Sequence, residues 1–305
     1  MNQRHRRIPC LAAVCVYCLI GLSARAQAED APATAAPATA EPGIPTVEQL
    51  LSKAEASVKN FKDYTGYMDK QERFIGEGLG KLEKTFFKFA LPFKVYIKFL
   101  NVYNGREAIY VLGRNDNEVK VHKGTFPDIT VNLDPQGATA MEGNHHPATD
   151  FGLESTIRIS AANLRKALKR GEGEFKVSDG GVVNGRPVWK IDAKFPKGGH
   201  FVTAKDDEEL WHIAKRTGQD MYLIMYTNKD YDEPDDPDEG DKVFIPRYYG
   251  GRSELLVDKE NFMPVKATTW DWSGKLYEMY SYYNMKFNVG LTDQDFNPDN
   301  KAYDF

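Results

Sequence analysis

The segment EGNHHPATD, residues 142–150, is the cluster in this chain best equipped for chemistry: His145 and His146, with Glu142 and Asp150 close by. Imidazoles and carboxylates are zinc ligands, and they are also the usual general acids and bases. The spacing argues against a metal. Neighbouring histidines in extended backbone point to opposite sides, and no third ligand stands at a helical or turn interval from them. The segment therefore reads as a structural turn leading into a helix, with no metal and no cofactor assigned.

Other catalytic signatures are missing as well: there is no G-x-S-x-G elbow, no H-E-x-x-H pair and no Walker loop. The three cysteines, Cys10, Cys15 and Cys18, all lie in an N-terminal segment that runs MNQRHRR, then IPCLAAVCVYCLIGLSA, then small residues at Ala24, Ala26 and Ala28. That order is a secretory signal peptide over residues 1–28, with an uncleaved membrane anchor as the alternative. None of the cysteines follows a lipobox. The expected location is the periplasm or envelope of a bacterium, and the mature chain has no thiol for disulfides, metal sites or nucleophilic attack. Cleavage removes Arg4, Arg6, Arg7 and Arg25, so 40 basic residues become 36 against 44 acidic, a net charge of −8. That balance disfavours nucleic acid as a partner. The chain is not expected to be an enzyme.

Positioning any site requires a scaffold, and the periodicities supply an α+β one. After an Ala/Pro-rich linker over residues 29–45, Leu50, Ala54, Val58 and Phe61 follow helical steps behind a capping-box pattern, Thr46-x-x-Gln49. The stretch TFFKFALPFKVYIKFL then alternates, with Phe87, Phe89, Leu91, Phe93, Val95, Ile97 and Phe99 on one face and Lys88, Lys94 and Lys98 on the other, wet face. Pro92 bends or divides this strand. A second helix is expected over 149–169, capped by Thr149 or Asp150, with Leu153, Ile157, Ala161, Leu164 and Leu168 as its apolar stripe and Gly171 as its stop. Alternation returns in VWKIDAKF behind the turn signal Asn184-Gly185, and again in a closing hairpin that turns at Ser273-Gly274.

The segments NGREAIYVLGRND, LDPQGATAMEGNHHPATDFGLE and YSYYNMKFNVGLTDQDFNPDNKAYDF resemble an exported bacterial family of uncharacterised function related to the LolA/LolB-type periplasmic lipoprotein carriers. The resemblance covers residues 46–198 and 250–305. It implies a strongly curved antiparallel sheet, an open half-barrel, covered by helices on its concave side. In the carriers that side is an apolar cavity for acyl chains, which here would be walled by Phe87, Phe89, Phe93, Val95, Ile97, Phe99, Trp189 and Ile191. The same residues equally suit a filled core.

Residues 199–249 interrupt this pattern and resemble an inserted LysM module of βααβ form, through Leu210, Trp211, Ile213, Ala214, Gly218, Ile224, Asn228, Gly240, Val243, Ile245 and Pro246. Such an insert fits a hairpin connection between Phe195 and Ser253. Each matched position has a folding role; Asn228, for instance, is expected to bond the backbone that follows it. LysM modules bind N-acetylglucosamine glycans, which points to Asp207, Glu208, Glu209, Asn228, Lys229, Asp230 and Tyr231. The acidic run DYDEPDDPDEGD does not suit an anionic wall polymer and reads as a solvated loop. The expected function is a non-catalytic envelope protein that holds a lipid, lipoprotein or other apolar ligand in the concave sheet, with peptidoglycan tethering through the LysM-like module. The alternative is an envelope scaffold or sensor that binds another protein, with a solid core and a degenerate module.

Overall fold

In the computed structural model, which describes residues 43–305, Thr46 caps the first helix, α1 (Val47–Val58), through the expected reciprocal pair with Gln49. The leader expected over 1–28, and most of the linker, lie outside the described residues. From α1 the chain enters a run of antiparallel strands: β1 (Asp63–Phe74), the two-residue β2 (Gly78–Leu79), β3 (Glu83–Ala90), β4 (Lys94–Phe99), β5 (Glu107–Val111), β6 (Val119–His122) and β7 (Thr130–Leu133). A single turn, α2 (Ala138–Met141), and the long helix α3 (Leu153–Arg170) follow, then β8 (Glu174–Val183) and β9 (Arg186–Lys194). An insert of β10 (Gly199–Thr203), α4 (Leu210–Thr217), α5 (Met221–Thr227) and β11 (Lys242–Pro246) precedes β12 (Arg252–Asp258), β13 (Pro264–Trp270) and β14 (Leu276–Phe287).

The large sheet runs β7-β6-β5-β4-β3-β1-β14-β13-β12-β9-β8, so it is unclosed, with β7 and β8 as its edges. The α+β class and open antiparallel sheet are those expected. Pro92 divides the aromatic strand into a hairpin, in which Phe87 pairs with Ile97 and Phe89 with Val95. Odd positions face odd positions across the turn, so the apolar face continues from β3 to β4, although Leu91 itself, in the turn, is exposed. Asn184 and Gly185 both take positive φ, 52° and 76°, as a tight two-residue hairpin requires.

Helices α1 and α3 close one end of the inner face, where Leu50, Leu51, Ala54, Ile157, Ala161 and Leu164 pack on Ile191, Ala193, Leu255 and Val257. Helix α3 starts later than its sequence suggests. Residues Ala148–Asp150 form a separate 3-10 turn, Gly152 is the N-cap, and the Tyr64 hydroxyl, not Thr149 or Asp150, accepts the Leu153 N–H at 3.0 Å. Its last apolar contact is Ala167, whereas Leu168 is 39% exposed. Residue 168 lies about 100° round the helix from 167, and that rotation carries it off the core face.

The outer face is not simply wet. Phe296, with Leu291, Tyr303 and Phe305, packs on Ala90, Tyr96, Ile109 and Val111, while Lys88 and Lys94 pair with Asp295 and Asp293. The C-terminal segment thus roofs the outer face, using the lysines as anchors.

The insert joins two strands that pair with each other, β9 and β12, with Lys194 opposite Arg252. Its own strands β10 and β11 form a two-stranded sheet beside α4 and α5 over Leu210, Ile213, Met221, Ile224, Val243 and Ile245. Asn228 does not serve the turn after it; its side chain bonds Ile224 O behind it and both backbone groups of Phe244 on β11.

The helix register makes a direct stability test. Leu164→Ala should lower unfolding free energy by about 2–5 kcal/mol, because Leu164 is 1% exposed, whereas Leu168→Ala should stay within about 0.5 kcal/mol of wild type. Urea denaturation of both variants checks the difference; equal losses would place Leu168 in the core.

Candidate functional site

Along β1 the inward side chains change character, from Tyr64 and Met68, which join the apolar core, to Lys70 and Glu72. On the neighbouring strand β14 the change runs from Tyr282 through Tyr280 to Glu278. Register makes these changes coincide: Glu72 lies opposite Glu278, Lys70 opposite Tyr280, and Lys70 opposite Glu83 on β3. One end of the inner face is therefore apolar and the other charged.

Loop 142–147 closes the charged end. Asn144 bonds back to Ala140 O and Glu142 O, and the turn this makes brings both histidines to one carboxylate: His145 Nδ1 and His146 Nε2 each lie 3.2 Å from Glu278 Oε2. The expectation that adjacent histidines diverge fails here because the backbone turns instead of running extended. Asp150 is not part of the cluster but pairs with Arg158, and Glu142 is exposed. The partners that do complete it, Glu72 and Glu278, are remote in sequence. The available signal was a charged residue at an inward position of an otherwise apolar strand face, in DKQERF and again in YEMYSYY.

Hydrogen bonds fix the cluster. The Tyr249 hydroxyl donates to Glu278 Oε2 at 2.8 Å, and the Tyr280 hydroxyl donates to Glu72 Oε1. Lys70 Nζ reaches Asn144 Oδ1 at 2.6 Å, Gly143 O at 3.2 Å and Glu83 at 3.1 Å. His145 Nε2 lies 3.0 Å from the Arg73 carbonyl, and its ring stacks on Tyr277 at 4.4 Å and lies near-parallel to Tyr222 of the insert at 5.5 Å. Burial alone would push Glu278 up, but the charges and hydrogen bonds of His146 and His145 reverse this and hold it at about 2. For His146, burial works against the charged form and the Glu278 carboxylate overrides it, raising the imidazole to about 9. His145 is raised against burial by Glu72 and Glu278 in the same way.

A cavity of about 190 Å³ opens from this cluster along the sheet under α3. Ile97, Phe99, Val119, Val121, Leu133 and Phe151 line its apolar part, and Lys70, Glu72, His146, Tyr249, Glu278 and Tyr280 its polar end. Of the eight side chains expected on a cavity wall, Ile97 and Phe99 are there. Phe87, Phe89 and Val95 are fully packed in the core, with Phe93 partly buried against them. Ile191 belongs to the helix-covered core, and Trp189 packs at its margin under the Lys259 ammonium. A second opening, a cleft of about 1020 Å³, lies between α3 and the insert, and His146 and Tyr249 belong to the walls of both.

Within the insert, three of the seven side chains expected to meet glycan are engaged internally. Glu208 is held by Arg216 at 2.6 Å, Asn228 ties α5 to β11, and Tyr231 is buried. Asp207, Glu209 at the N-cap position of α4, Lys229 and Asp230 are exposed.

A family model described as "Protein of unknown function (DUF1571)" matches residues 61–244 and 245–305, running through the insert. No curated protein matches the chain. Among solved structures it is similar to the MucA/MucB complex of Pseudomonas aeruginosa, with 9% identity and a TM-score of 0.41 over 81% of this chain and 59% of that one. It is also similar to the lipoprotein LppX of Mycobacterium tuberculosis, with 11% identity and a TM-score of 0.37 over 81% and 99%. A LolA superfamily protein from Nitrosomonas europaea gives 11% identity and a TM-score of 0.29 over 83% and 97%. The chain thus spans less than two thirds of the MucB chain it matches.

Replacing Glu278 tests whether the cluster is the buried ion network its geometry describes. Glu278→Gln leaves two buried imidazoliums without their shared counter-ion and should cost about 3–5 kcal/mol in denaturant unfolding at neutral pH. A loss under about 1 kcal/mol would mean that water already reaches these groups.

Proposed function

The chain belongs to the DUF1571 family of proteins of unknown function, and we propose that it is a non-catalytic binding protein of the bacterial envelope that takes one short apolar segment of a lipid, a lipoprotein or another acylated ligand under α3. The observation that carries this reading is the two-ended lining of the cavity: apolar side chains from β4 to β7 on one stretch and a fixed charged cluster on the other. An amphiphile matches such a gradient with its tail inward and its polar part at the cluster. Export of the chain by its N-terminal leader belongs to the same reading. Among the described residues no helix is long and apolar enough to cross a membrane.

Volume limits what is bound. An apolar cavity of about 150 Å³ takes up benzene, so the 190 Å³ here suits a segment of roughly six to eight carbons rather than a whole long acyl chain. At about 0.8 kcal/mol per methylene, six methylenes contribute about 5 kcal/mol, which alone gives sub-millimolar affinity. Tighter binding requires contacts at the polar end.

A second reading has its own observation. Phe87, Phe89 and Val95 are 0–2% exposed, so most of the inner face is filled, and the larger opening is the cleft beside the insert. That arrangement suits a scaffold that grips a segment of another protein.

A fluorescent medium-chain acyl probe added to delipidated protein separates the two. Binding should occur with one site per chain, and Val121→Trp, which fills the apolar part of the cavity, should weaken it at least about tenfold, a loss of about 1.4 kcal/mol. Binding that Val121→Trp leaves unchanged, or no binding at all, would sink the ligand-carrying reading and leave the scaffold.

A further inference from the structure

The charged cluster contains more than a polar head-group needs. Glu72 Oε2 has no hydrogen-bond partner, although its side chain is only 1% exposed. Lys70 lies 3.2 Å from it, but three other acceptors, Gly143 O, Asn144 Oδ1 and Glu83, already stand within 3.2 Å of that ammonium. His145 is similarly poised. Because its Nε2 faces the Arg73 carbonyl, that nitrogen carries the proton, and in the neutral ring the Nδ1 lone pair points at a carboxylate oxygen 3.2 Å away. Two acceptors at that distance call for a positive charge between them, which a second ring proton supplies in the empty site and a bound cation can replace.

We propose that Glu72, His145, His146 and Glu278 form a binding site for a divalent transition-metal ion, with zinc as the ion their chemistry fits best. One ligand atom each from Glu72, His145 and Glu278 lie within 4.8 Å of one another, and His146 Nε2 stands 3.2 Å from Glu278 Oε2. In a tetrahedral zinc site with metal–ligand distances of about 2.1 Å, neighbouring ligand atoms are about 3.4 Å apart. The two imidazole–carboxylate spacings of 3.2 Å are close to that edge, so an ion is accommodated by small side-chain adjustments. Outer partners are in place too: Arg73 O orients His145, Tyr280 holds the other oxygen of Glu72, and Tyr249 donates to Glu278. Both histidines line the cleft beside the insert, which gives an ion its way in. Two imidazoles with two carboxylates favour zinc over calcium or magnesium, which prefer all-oxygen shells.

The test uses the whole chain stripped with a chelator and titrated with Zn²⁺ by calorimetry, with Co²⁺ as a spectroscopic substitute. One equivalent should bind, the Co²⁺ form should show the visible bands of a low-coordinate site, and His146→Gln and Glu72→Gln should each weaken Zn²⁺ at least about tenfold. These two variants carry the test because Glu278→Gln also removes a folding contact; circular dichroism confirms that each is folded. No stoichiometric binding by the wild type, or binding that both variants leave unchanged, would overturn the site and leave a buried ion-pair network. No acyl ligand is present in the experiment, so its result is independent of the cavity reading.

Discussion

Everything at the charged end depends on how β1 pairs with β14, the first and last strands of the sheet. The pairing is not uniform. Tyr64 lies opposite Phe287 and Thr65 opposite Lys286, but Tyr67 lies opposite Tyr283, so β14 bulges between them, with Asn284 at φ 51°. The bulge changes which positions of β14 face inward, from odd at Phe287 to even at Tyr282, Tyr280 and Glu278. Met285 lies over Gly66, where its sulfur stands 2.1 Å from the place a Cβ would occupy, so any larger residue there would have to push the methionine aside. Without that irregularity Phe287 and Glu278 could not share a face, and a slip of one residue would turn Glu278 out to the other side.

This explains what could and could not be read from residue order. Local rules worked where local physics decides: the Thr46 and Gln49 box, the Asn184-Gly185 turn and the odd-numbered apolar face of β3 and β4 all stand as their spacing predicts. The alternation across Pro92 held because a hairpin that pairs 89 with 95 preserves parity. By contrast, the start of α3 was displaced by a partner outside the segment, since a tyrosine hydroxyl from β1 satisfies its first N–H. The lysine face looked solvated because its cover comes from the C-terminal segment, more than 190 residues away in the chain. The sequence neighbours of the histidine pair do not reveal its partners, which come from β1 and β14, the first and last strands in chain order and adjacent within the sheet.

The same view clarifies the aromatic strand. Alternation showed that Phe87, Phe89, Val95 and Ile97 share a face, and they do, but alternation is silent on whether that face meets ligand or protein. Packing decides it. Phe89 stacks on Tyr64 at 4.9 Å and Phe87 meets Phe151 edge-on at 5.1 Å, so these rings fill the space between sheet and α3. The cavity persists farther along, where Ala108 and the shorter Val119 and Val121 line it.

The insert takes its place in this account through the bonds that dock it. Tyr222 donates to Met141 O at 3.0 Å, Tyr226 to Asp271 at 2.7 Å, and Tyr277 of β14 donates to Asp220 at 3.2 Å. These contacts gather around the charged end of the sheet, and Tyr222 lies beside the ring of His145. Lys70, Glu72 and Glu278 take their partners from the sheet, from loop 142–147 and from Tyr249, and the insert supplies Asp220 as the partner of the buried Tyr277 hydroxyl beside them. A cover bearing tyrosine hydroxyls and a carboxylate excludes water while leaving the ions partnered. Exclusion of water then strengthens every interaction inside, so each charge in the cluster is set by all the others. The insert, by presenting Asp220 and Tyr222, is thereby part of the site it shields.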